Sequence, residues 1–60
     1  MTPVQAKELK PGTMVKRKDR FDRELWCVGR FDKLMLSQTR AMVEVNGHEQ
    51  IWVIREMVEA

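Results

Sequence analysis

Ala41-Met42-Val43-Glu44-Val45-Asn46-Gly47-His48-Glu49-Gln50-Ile51-Trp52-Val53-Ile54 is the stretch on which the reading of this chain turns. Asn46-Gly47 lies between two alternating, β-rich runs and signals a β-hairpin, since glycine takes the left-handed backbone that closes a tight loop. Two registers compete. A two-residue loop sets Glu44 opposite Glu49, a like-charge pair, and mixes polar with apolar groups on each face. A three-residue loop, Asn46-Gly47-His48, pairs Val45 with Glu49, Val43 with Ile51 and Ala41 with Val53, and gathers mostly apolar side chains inward. The second register is the one expected. It turns Met42, Glu44, Gln50 and Trp52 outward, where an indole and a thioether are costly to leave in water. The outer face of Trp52, Gln50 and Met42 is thus the first candidate contact surface.

Working outward from the hairpin, Leu25 to Phe31 is apolar on both faces and reads as a central strand, with Trp26, Cys27 and Phe31 in the core. Asp32-Lys33 is expected to turn the chain into a further strand, Leu34 to Gln38. Upstream, Thr13 to Arg17 reads as the first strand with Val15 inward, followed by a polar loop from Lys18 to Arg23 that has Phe21 as its apolar anchor. Pro11-Gly12 divides residues 1–12, an N-terminal arm with at most a turn of helix, from residues 13–60. Arg55 to Val58 is expected to form a short helical turn, with Met57 or Val58 packing down. Five short strands, a long polar loop after the first and a short C-terminal helical turn predict an all-β fold, a five-stranded SH3-like barrel.

Sixty residues make one domain, and a chain of this size buries only roughly 60% of the surface exposed when unfolded. Its single cysteine, Cys27, forms no intramolecular disulfide. One cysteine and one histidine, His48, fall short of the four ligands of a structural zinc site, so no metal is expected. Self-association is the remaining route to extra stability, which makes a homo-oligomer an open expectation. No apolar run reaches the roughly 20 residues that span a bilayer, and the start lacks a signal-peptide pattern, so a soluble, cytoplasmic protein without membrane contact is expected.

The net charge of +2 is unevenly spread. Between Lys7 and Arg23 seven cations face three carboxylates, whereas from Arg40 onward two cations face four. Such asymmetry can orient an anionic partner or a second copy of the chain. Lys16, Arg17, Lys18, Arg20 and Arg23 form the densest cluster and are candidate phosphate contacts, although Asp19, Asp22 and Glu24 are interleaved with them. No serine or cysteine stands at a spacing that would pair with His48, and no carboxylate lies in an apolar run that would raise its pKa, so no catalytic residue is assigned.

Two patches resemble the type II, plasmid-borne, trimethoprim-insensitive dihydrofolate reductases, short SH3-like chains assembled as homotetramers around one pore. Gly12-Thr13-Met14-Val15-Lys16-Arg17-Lys18 with Val28-Gly29-Arg30-Phe31 is similar to that family's Gly-x-x-Val-basic-basic-Lys and Val-Gly-Trp-Tyr, and Gln50-Ile51-Trp52 is similar to its pore-lining Gln-Ile-Tyr. The resemblance implies that Gln50 and Ile51 contact nicotinamide and pterin rings, that Trp52 takes the tyrosine position and that Arg17 binds anionic groups. Glu49, Trp52 and Val53 depart from the family's valine, tyrosine and proline.

Taken together, the leading expectation is a non-enzymatic binding or regulatory module with no cofactor. It would dock on a macromolecule through Trp52, Gln50 and Met42, aided by the basic segment Lys16 to Arg23. Protein is placed ahead of nucleic acid, because the exposed face so read is apolar. The alternatives are the NADPH-dependent reductase and an RNA-binding SH3-like barrel.

Overall fold

A computed structural model describes all sixty residues, 1–60. One antiparallel sheet carries the fold: β1 (Met14–Lys18), β2 (Trp26–Leu34), β3 (Arg40–Val45), β4 (His48–Val53) and β5 (Val58–Glu59), in the spatial order β4-β3-β2-β1-β5. The first four strands form a meander. A single turn of 3-10 helix, Ile54–Glu56, then carries the chain across to β5, which pairs with β1 through Val15–Glu59 and Lys16–Val58. The fold is all-β with five strands, as expected, but the helical turn expected over Arg55 to Val58 lies at Ile54–Glu56 and Val58 begins a further strand.

The five strands are not all the expected ones. Asp32-Lys33 does not turn the chain. β2 runs on to Leu34 and absorbs one extra residue as an irregularity between Phe31 and Lys33, where the partners shift from Phe31–Val43 to Lys33–Met42. A bulge of this kind re-aims a long strand without ending it. The reversal comes instead at Met35 to Thr39, closed by Met35 N–H donating to Arg40 O and Gln38 N–H donating to Met35 O, each at 2.9 Å. The segment expected as a third strand is therefore this turn, and Leu36 lies fully exposed on it. The fifth strand is Val58–Glu59.

The hairpin adopts the two-residue register. Val45 pairs with His48, Glu44 with Glu49, Val43 with Gln50, Met42 with Ile51 and Ala41 with Trp52. Asn46 and Gly47 both have positive φ, 51° and 82°, the backbone of the tightest hairpin turn. The like-charge pair is tolerated because Glu44 and Glu49 both face water, and Arg30 stands on the other side of Glu44 in the same row. What this register gains is Trp52, which turns inward to 1% exposure while Ile51 takes the outer side. An indole removes more apolar area from water than an isoleucine, and that difference decides the register.

The core comprises Ala6, Val15, Phe31, Ala41, Val43, Trp52, Ile54 and Met57. Met57 packs down as expected, whereas Val58 is partly exposed. Residues ahead of Gly12 join this core: Pro3–Lys7 forms a short helix, α1, whose Ala6 is buried. Thr2 caps it with Gln5 reciprocally, and Pro3 occupies the first turn, where its missing N–H costs nothing. The main-chain nitrogen of Met1 donates to Ile54 O at 3.0 Å and Met57 O at 2.6 Å, tying the segment to the 3-10 turn. No helix is long and apolar enough to cross a membrane.

Candidate functional site

Period-two alternation splits the basic run. Lys16 and Lys18 lie on the outer face of β1, whereas Arg17 lies on the inner side with Val15. Consecutive strand residues cannot share a face. The Arg17 guanidinium stacks over the indole of Trp52, 5.0 Å from its centroid, and donates to Lys18 O at 3.1 Å. Arg17 thus lids the core and is not part of an outer cluster.

Trp52, Gln50 and Met42 do not make the contact surface expected of them. The indole is enclosed, and its Nε1–H donates to Gln50 Oε1 at 3.0 Å, so Gln50 satisfies the one polar atom the ring brings inside. Met42 is half-buried on β3. Arg20 reaches Glu56 at 3.9 Å across exposed surface, and Arg23 is exposed in the loop. The positions that the reductase resemblance singles out separate likewise: Gln50 and Ile51 are exposed on β4, and Trp52 is core.

The surface that does assemble is the outer face of β1, β2 and β5. Trp26 pairs across strands with Lys18, Val28 with Lys16, and Arg30 with Met14, while Val58 flanks Lys16 from β5. Trp26 is 44% exposed where it was expected in the core, and Val28, Met14 and Val58 are exposed to a similar degree. The ammonium of Lys16 lies 4.3 Å and that of Lys18 4.4 Å from the Trp26 ring centroid. Each such contact at an exposed site is worth about 0.5–1 kcal/mol, enough to hold the ring and both cations together. Arg30 closes the row, with Nη1 at 4.0 Å from Glu44 Oε1.

This face was legible in one residue that the strand reading passed over. Arg30 alternates with Val28 and Trp26, and a guanidinium cannot sit on a covered face without a partner. The inward set, Cys27, Gly29 and Phe31, is half-buried to buried.

The loop between β1 and β2 is organised by Asp19. Phe21 is 99% exposed and anchors nothing. Asp19 Oδ2 accepts from Asp22 N–H at 2.8 Å and Phe21 N–H at 2.9 Å, while Cys27 Sγ–H donates to Oδ1 at 3.7 Å. These bonds hold the Asp19 carboxyl below the usual aspartate range, chiefly through Asp22 and Phe21, with Cys27 and the Arg17 charge adding to it. Asp22 in turn accepts from Glu24 N–H at 3.1 Å. Two carboxylates interleaved with the basic run are thereby engaged in shaping the loop beside Trp26.

Comparison with protein-family models, with curated proteins and with solved structures returns no match.

Proposed function

We propose that the chain is a non-enzymatic SH3-like docking module that contacts an anionic macromolecule through the outer face of β1, β2 and β5. The strand order, with a 3-10 turn between β4 and β5, supports the SH3-like reading. One observation carries the function: Trp26, Val28, Met14 and Val58 are exposed together on one sheet face, with Lys16, Lys18 and Arg30 among them. Clustered apolar surface mixed with one sign of charge supplies both contact area and orientation. Scattered apolar residues would carry no such implication.

Retention on immobilised heparin at low salt tests the face. Replacing Lys16→Ala with Lys18→Ala removes the same formal charge as replacing Lys7→Ala with Lys10→Ala, but only the first pair lies beside Trp26. The first double variant elutes at clearly lower salt than the second. Equal elution would mean that net charge, and not this face, governs attraction.

A further inference from the structure

We propose that the outer face around Trp26 binds single-stranded nucleic acid, a base stacking on the indole while Lys16, Lys18 and Arg30 take adjacent phosphates. The inference rests on the docking face proposed above and names its partner. Three observations favour it over other anionic partners.

The first is the juxtaposition itself. Trp26 presents a half-exposed ring approached by two ammoniums from β1, Lys18 from the position directly opposite at 4.4 Å and Lys16 from the diagonal at 4.3 Å. An aromatic platform flanked by cations that can follow a backbone is the arrangement that holds single strands without reading their sequence. A base that displaces one ammonium from the ring replaces a weak exposed contact with a stronger stack, and the freed lysine meets the phosphate next to that base.

The second is length and charge along the strand. Trp26 to Arg30 spans about 14 Å of β2, so cations border the strip at both ends. Opposing carboxylates are few. Glu44 holds Arg30 only at 4.0 Å with both groups largely exposed, and Asp19 and Asp22 accept loop amide hydrogens. A protein partner would have to pair both lysine ammoniums while covering the ring, because a buried unpaired charge is costly, whereas phosphates meet them at a solvated edge.

The third concerns duplexes. A major groove admits a helix or a two-stranded ribbon, but β1 and β2 are flanked by β5 and β3 and cannot enter one as a ribbon. Helix α1 has five residues and contributes its Ala6 to the core.

Fluorescence anisotropy of a short labelled oligothymidylate tests the proposal, with the same backbone lacking bases, the corresponding duplex and vesicles of anionic phospholipid as competitors. Wild-type protein is expected to bind the single strand with a logarithmic salt slope of about −2, as three phosphate contacts require. Lys18→Ala reduces that slope by about 0.7. Trp26→Ala weakens binding roughly 5- to 150-fold, and Trp26→Phe restores most of it, because any aromatic ring offers a stacking face. Circular dichroism matching wild type shows that both variants are folded. Equal binding of the base-free backbone, tighter binding of the duplex, or capture of the vesicles in place of the oligonucleotide overturns the proposal. If heparin retention still depends on Lys16 and Lys18 while oligonucleotide binding ignores Trp26, the nucleic-acid inference falls and the docking face stands. If neither depends on these residues, both fall.

Discussion

At Gly29 the sheet leaves no room for a side chain. A methyl group there would run into Val43 Cγ1 and lie 3.0 Å from both Glu44 O and Val45 Cγ2. The glycine is buried and pairs with Val15, so β1 and β3 both close over it. Two of the atoms it would meet belong to β-branched side chains, and the third is backbone that cannot swing aside. Gly29→Ala is therefore expected to destabilise by about 1–3 kcal/mol. A urea titration reads this as a lower midpoint at unchanged slope, and an unchanged midpoint would show that the strands separate freely. The same inward side explains Trp26. With Cys27, Gly29 and Phe31 pointing in, Trp26 can only point out, and the lysines opposite it on β1 supply the neighbours that make an exposed indole stable.

At the scale of elements, the loop from Asp19 to Leu25 is held by polar contacts and not by an apolar anchor. Asp19 N–H donates to Leu25 O at 2.9 Å, closing the loop's ends, and the Asp19 carboxylate gathers the amides within it. Because the folded carboxyl titrates below its unfolded value, its contribution to loop order is present above the ordinary aspartate pKa. It is lost only as pH falls through the depressed folded value. An NMR titration is expected to show the amide resonances of Phe21 and Asp22 moving together in strong acid, below the ordinary aspartate midpoint. Movement at or above that midpoint would mean that the carboxylate does not accept these bonds. The element bears on function because this loop leads directly into Trp26.

For the molecule as a whole, eight apolar side chains form one small core and no polar or charged residue is buried. A domain of this length has a stability of about 3–9 kcal/mol, and truncating a buried tryptophan costs about 3–5 kcal/mol. Trp52→Ala is thus expected to lose about 3–5 kcal/mol, a large share of the whole, read as a much lower urea midpoint, whereas an outward Trp52 would leave that midpoint nearly unchanged. An unchanged midpoint would mean that the Trp52 indole contributes nothing to the core. The charge asymmetry seen along the chain also changes meaning in three dimensions. Of the cations at one end, Lys16 and Lys18 join Arg30 of β2, while Arg17 turns to the core and Arg20 pairs with Glu56.

Local chemistry alone determined the β class and the Asn46-Gly47 turn, because glycine and β-branched residues act through their own backbones. The register of the hairpin and the run of β2 through Asp32 were decided only in the tertiary structure, whereas the outward side of Trp26 was already marked by Arg30 in alternation with it. Each of these is a choice of parity, in which a shift of one residue exchanges the two faces of a strand. Pairwise tests such as Glu44 against Glu49 weigh a solvated repulsion, whereas the folded chain weighs which of two neighbours, Ile51 or Trp52, removes the larger surface from water.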